Sequence, residues 1–229
     1  MARILQIDTT GPQTSVALSD SGKTLFCEID ETVHSHAQII TVLIQKLLSK
    51  AGKDLKSLEA ISINSGPGSY TGLRIGSTTA KGLCLGLKIP LIALNGLKVM
   101  TLRVLKKNDS WNTSIRQYCP SIDARRMEVF MEVFDPDLQT LLSPSSRIID
   151  QEHFFQDLKV NTLFFGTGAQ KIKEFLKDNP MAYFDLDFTH SAADLSELSE
   201  EAFYEKKFEN LIDFEPFYLK EFYSPSFKS

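Results

Sequence analysis

Ile4-Leu5-Gln6-Ile7-Asp8-Thr9-Thr10-Gly11 opens the chain with a short apolar run that ends in an acid, two hydroxyls and a glycine. Ser15-Val16-Ala17-Leu18-Ser19 follows, and Asp20-Ser21-Gly22-Lys23 turns the chain into Thr24-Leu25-Phe26-Cys27-Glu28-Ile29. Short β-prone runs separated by turn residues predict a three-stranded meander. Ser35 with Gln38 three residues on forms a capping-box pattern, and helical spacing of apolar residues then runs from Ile39 to Leu48 before Gly52 stops it. A strand at 59–63, a glycine-rich loop, a helix to about Lys88, a strand at 91–94 and a helix from Leu97 to about Lys107 complete the first half.

The second half repeats that order of elements. Tyr118 to Ile122 leads to Asp123, Met127 to Phe134 and Leu138 to Leu142 are strands around Asp135-Pro136-Asp137, and a helix begins over 148–158. A strand at 163–165, a helix from Ala169 to Asp178 and an acidic helix from Asp194 to about Phe208 follow. Two tandem β-β-β-α-β-α units predict an α/β protein of two similar lobes, each with a mixed sheet and with a cleft between them. The polar stretch Lys107-Asn108-Asp109-Ser110 marks the boundary, giving lobes over 1–107 and 108–229.

Composition excludes several classes. The 229 residues are 42% hydrophobic and 24% charged with net charge -4, which excludes a disordered or fibrous chain. No window of 18 consecutive apolar residues predicts a membrane span, and the start does not read as a secretory signal, so a cytoplasmic protein is expected. Cys27, Cys84 and Cys119 have no C-x-x-C spacing and read as reduced thiols. Residues 1–100 carry 10 basic against 7 acidic side chains, and 185–221 carry 11 acidic against 3 basic. Unaided grip on nucleic acid calls for the opposite balance.

Two loops could carry chemistry. Gly66-Pro67-Gly68-Ser69-Tyr70-Thr71-Gly72 joins a strand to a helix, so its backbone N–H groups and the helix N-terminus could hold an anion, or Ser69 could simply cap a tight connection. It lacks the Walker lysine and the dinucleotide spacing. Asp8-Thr9-Thr10 at a strand's carboxyl end could face a magnesium-bound phosphate, or could bond its own backbone in a turn. Asp8, Thr9, Thr10, Gly66, Gly68 and Ser69 are thus the nucleotide- or phosphate-facing candidates. The second-lobe counterpart, Asp123-Ala124-Arg125-Arg126, is too bulky for a phosphate loop, and its arginines are expected to fill the cleft or pair with acids. His34, His36, His153 and His190 include no pair spaced for one helical face. No metal site and no catalytic residue is assigned.

Two helices show unusual faces. At about 100 degrees per residue, Gly72, Gly76, Thr79, Leu83 and Gly86 form one nearly bare side of the helix over 70–88, where another backbone could approach, with Arg74, Lys81 and Lys88 opposite on an expected solvated face. The apolar residues from Ile39 to Ala51 spread over about 240 degrees, wider than a helix on one sheet requires. An oligomeric or heteromeric contact is expected to cover the surplus.

These residues carry a family resemblance. Ile4 to Thr10, Ser15-Val16-Ala17-Leu18, the run Gly66 to Gly76 with Ala80-Lys81-Gly82, and Ile122-Asp123-Ala124-Arg125-Arg126 resemble the bacterial TsaB (YeaZ) family, as do Gly166-Thr167-Gly168-Ala169 and Pro216-Phe217-Tyr218-Leu219-Lys220. Lys220 stands where arginine is more usual. The resemblance implies an actin-like, sugar-kinase-like (ASKHA) fold of two ribonuclease-H-like lobes. It implies a non-catalytic scaffold subunit required for placing threonylcarbamoyl on the adenosine beside the anticodon (position 37) of tRNAs reading codons that start with A. The implied partners are the metal-bearing catalytic paralogue TsaD and the ATPase subunit TsaE, with a homodimer in isolation and tRNA met only through the complex. No cofactor is expected to bind this chain tightly, and ATP with Mg is a candidate ligand of the complex only. The resemblance also places His36, Ile39, Ile40, Leu43, Leu47, Gly72, Ile75, Gly76, Thr79 and Leu83 in the bundle that joins subunits. A self-sufficient ATP-using transferase and a glycoprotease-like metallopeptidase are the alternatives.

Overall fold

The computed structural model describes residues 2–32, 36–107, 114–149, 155, 158–176 and 179–219. The opening meander is β1 (Arg3–Asp8), β2 (Thr14–Asp20) and β3 (Lys23–Asp30), antiparallel throughout, with β1 and β2 in register from Arg3 opposite Asp20 to Asp8 opposite Ser15. β4 (Ala60–Asn64) and β5 (Leu91–Leu94) add in parallel, giving the order β3-β2-β1-β4-β5. A parallel neighbour needs a crossover, and α1 (His36–Ala51) and α2 (Tyr70–Leu87) provide it. They lie on one face of the sheet over a core of Leu5, Ile7, Val16, Leu18, Ile61 and Ile63.

The second sheet reproduces this plan. β6 (Gln117–Asp123), β7 (Glu128–Phe134), β8 (Thr140–Ile148), β9 (Thr162–Phe165) and β10 (Ala182–Asp185) take the order β8-β7-β6-β9-β10, with β6 between an antiparallel and a parallel neighbour as β1 is. α4 (Ala169–Phe175) covers one face. The repeat expected from element order is present. β10 had no sequence signal, β8 reaches Ile148 instead of ending at Leu142, and Leu138 belongs to the preceding turn with φ of 61°. The Ser35 cap and most of the expected helix over 148–158 lie outside the described residues.

Packing crosses the expected boundary at residues 107 and 108. α3 (Gly96–Lys106) precedes it, yet Leu97, Met100 and Val104 pack with Tyr118, Phe134, Leu163 and Phe165 on the second sheet. Conversely, a 3-10 turn (Ala192–Leu195) and α5 (Ser196–Tyr204) pack on the open face of the first sheet, and Phe214 joins its core. The two lobes exchange a helix. Each β-β-β-α-β-α unit supplies helices to only one face of its sheet, and a bare second face leaves its aliphatic side chains wet at about 1.5–3 kcal/mol each. The final acidic helix is also shorter than the expected 194–208.

Candidate functional site

β1 and β4 run side by side, so Asp8 at the end of one and Asn64 at the end of the other come together. Asp8 Oδ1 accepts the Thr10 backbone N–H at 2.9 Å and the Thr10 hydroxyl at 2.7 Å, while Oδ2 accepts Asn64 Nδ2 at 2.9 Å. His190 Nε2 lies 3.4 Å from the same Oδ2. Burial opposes ionisation of Asp8, but the hydrogen bond and charge of His190, with the Asn64 and Thr10 donors, outweigh it and hold the carboxyl far below its ordinary range. Burial likewise opposes protonation of His190, and the bond to Asp8 with the charges of Asp8 and Asp194 outweighs it, so its pKa is raised.

The glycine loop closes against this group. Ser69 caps α2 as expected, its Oγ accepting Gly72 N–H at 3.2 Å. Gly66 N–H donates to Asn64 Oδ1 at 3.1 Å and Ser69 N–H to the Thr10 carbonyl at 2.8 Å. A Cβ on Gly68 would strike Thr10, and one on Gly72 or Gly76 would strike Thr9. The bare side of α2 foretold at Gly72 and Gly76 is real, but the backbone that approaches it belongs to the same chain. Thr9 Oγ1 donates to the Gly72 carbonyl at 2.7 Å.

Asp8, Thr9, Thr10, Gly66, Gly68 and Ser69 therefore do come together, and they satisfy one another. The space left between the lobes, lined by Asp8, Gly11, Gln13, Gly166, Phe188 and His190, is about 90 Å³. Small-molecule pockets usually offer about 300–1,000 Å³. These residues do not fit a magnesium nucleotide: the carboxylate is fully engaged, and protein fills the cradle. Nor do the second-lobe arginines fill the cleft. Arg125 and Arg126 are exposed with φ of 69° and 48°, neither pairs with a described acid, and Asp123 binds Lys171 Nζ at 2.6 Å instead. Among the described residues, no group of three or more His, Cys, Asp or Glu side chains is placed to hold a metal ion.

The helical face is narrower than expected. His36, Ile40, Leu43 and Leu47 are buried within the chain, His36 through a 2.6 Å bond between Nδ1 and Thr14 Oγ1. Within the chain α1 is wedged between β2, β3 and α2, which cover its wide apolar spread on two sides. Ile39, Ile75, Thr79 and Leu83 remain half-buried at the surface, with Val42 beside them at 51% exposure. Lys81 is not free on a solvated face, since its Nζ donates to the Phe214 carbonyl at 3.0 Å. Arg74 lies over the Tyr70 ring at 4.3 Å, and that ring packs on Tyr218 at 5.0 Å.

His190, Asn64 and Phe188 escaped the sequence reading. Nothing local marks them, because their roles exist only once distant strands meet.

No described helix is long and apolar enough to cross a membrane. Residues 30–227 match the family model described as TsaD, tRNA N6-adenosine threonylcarbamoyltransferase. The tRNA threonylcarbamoyladenosine biosynthesis protein TsaB of Escherichia coli is 30% identical over 228 residues, spanning 95% of this chain and 94% of its own. YeaZ from Pseudomonas aeruginosa superposes with a TM-score of 0.79 at 26% identity, covering 96% of this chain and all of that one. A Listeria monocytogenes protein, Lmo2764, named as a candidate N-acetylmannosamine kinase, shares the fold at a TM-score of 0.50 and 9% identity over 90% of this chain and 99% of that one. With two five-stranded mixed sheets in the fold it shares with these structures, the chain belongs to the TsaB (YeaZ) family.

Proposed function

We propose that this chain is a non-catalytic, partner-binding subunit of the machinery that makes threonylcarbamoyladenosine at position 37 of tRNA. Family membership supports the involvement in tRNA threonylcarbamoyladenosine biosynthesis. The observation that carries the non-catalytic reading is the closed cleft: Asp8 is consumed by Thr10, Asn64 and His190, and the glycines by Thr9 and Thr10. A carboxylate that accepts three fixed protein donors and faces a histidine ring nitrogen at 3.4 Å is poorly available to a phosphate-bound cation. The half-buried strip of Ile39, Ile75, Thr79 and Leu83 supports pairing across α1 and α2, with a TsaD-type catalytic paralogue in the complex or a second copy in isolation. TsaE and tRNA then meet this chain only within that complex.

The test is threonylcarbamoyl transfer to tRNA, assayed with the chain alone, with the paralogue alone and with both plus TsaE. Turnover is expected only with the paralogue present and to rise when this chain is added. Transfer by this chain in the absence of the paralogue refutes the reading.

A further inference from the structure

The Asp8 and His190 pair lies where three parts of the chain meet. Two residues before His190, the Phe188 ring packs on Phe165 of β9 at 5.1 Å, stacks on the His190 ring at 6.2 Å and receives Arg103 of α3 at 5.6 Å. That end is anchored on the second lobe. Beyond His190, Ala192 N–H donates to Ser15 Oγ at 2.9 Å, and Arg103 bonds Asp194 at 2.8 Å. On the other side of the pair, Asp8 holds Thr10, the Thr10 carbonyl accepts Ser69 N–H, and Thr9 bonds Gly72. An unbroken run of contacts thus leads from second-lobe aromatic rings, through one ion pair, into the first turn of α2.

We propose that His190 is an inter-lobe latch, a positioning residue whose protonated ring on Asp8 fixes the Asp8–Thr10 loop and, through it, the N-terminal turn of α2. The contact at 3.4 Å joins two opposite charges only while the ring carries its proton; a neutral ring leaves the carboxylate as the one charged partner and holds it less strongly. The charged groups facing the ring are Asp8 from β1, Asp194 from the 3-10 turn and Arg103 from α3. Burial and Arg103 oppose the charged ring and the two acids favour it more strongly, so the latch loosens as pH climbs through the raised pKa of His190. Under the reading above, α2 borders the pairing face, so pairing follows the latch; that consequence rests on the proposed function, and the latch itself does not.

Hydrogen–deuterium exchange of the full chain between pH 6 and 9, corrected for intrinsic rates, tests the latch. Exchange in segments 8–12 and 69–76 is expected to rise together, about tenfold, as His190 loses its proton. His190→Gln is expected to remove that step. Without any variant, the His190 ring signal and the Gly72 and Gly76 amides are expected to titrate with one midpoint by NMR. Flat exchange across the range in which His190 titrates, or a step that survives in His190→Gln, overturns the proposal. Sedimentation equilibrium on the same samples separates the two ideas: an exchange step with pH-independent pairing upholds the latch and removes the α1 and α2 face from pairing.

Discussion

Thr9 and Gly72 are joined backbone to side chain across the first lobe: the threonine hydroxyl donates to the glycine carbonyl at 2.7 Å, and the threonine carbonyl occupies the space where a Cβ on Gly72 would sit. Helix α2 is thereby pressed against the loop that carries Asp8. The same contact makes the glycine stripe a device of intrachain packing.

Gly72→Ala is expected to destabilise the protein by about 3 kcal/mol, because the clash is with backbone that cannot rotate away. Gly82, on the same helix, has open space around its Cβ position. There alanine is expected to stabilise by about 0.5–1 kcal/mol through helix propensity. Urea denaturation of both variants, compared at equal slope, checks the pair; a neutral Gly72→Ala contradicts the packing described.

Asp8→Ala leaves His190 buried without its counter-charge and is expected to cost about 3–5 kcal/mol near pH 6. The pH dependence has a definite sign. The folded pKa of His190 is raised above 6.5, so its contribution is whole below about pH 6.5 and is lost as pH climbs through the raised value. The folded pKa of Asp8 is depressed below 3.8, so its contribution is present above that point and is lost only in strong acid. The urea midpoint of the wild type should therefore decline on the alkaline side in a way that His190→Gln does not reproduce.

Pairing is best probed at residues that the lone chain leaves partly exposed. Thr79→Arg and Ile39→Glu are expected to weaken association with a second copy or with the paralogue at least about tenfold, with circular dichroism unchanged. Leu43→Glu is not an equivalent probe, because Leu43 is 4% exposed and its loss unfolds the lobe. Sedimentation of Thr79→Arg at wild-type association strength excludes this face.

The three thiols are expected to resist modification in the folded protein at pH 7.5. Burial pushes Cys84 up to about 12 and raises Cys119 further, while Cys27, half-buried near Ser191, is raised less completely against that hydrogen bond. Reaction with a disulfide reagent should proceed first at Cys27 and reach all three only in denaturant.

Strand and helix order was legible because it is written in local periodicity. The turn at Asp20 to Lys23, the Ser69 cap and the stop at Gly52 each act over three or four residues, and each stands where the sequence placed it. The candidate loops were also found, yet their occupant was not. Nothing adjacent to Asp8 tells that Asn64 and His190 will claim its carboxylate, and the breadth of the apolar stripe on α1 could not reveal that β2, β3 and α2 cover it.

By itself, then, the amino-acid order determined two repeated units of strands and helices, since hydrophobic spacing and turn residues respond to near neighbours. Tertiary structure alone decided that α3 and α5 cross to the opposite lobes, that the glycines of α2 receive Thr9, and that His190 closes the cleft on Asp8. Those outcomes depend on which uncovered sheet face and which buried charge find a partner, and such long-range pairing leaves no mark in a local window of sequence.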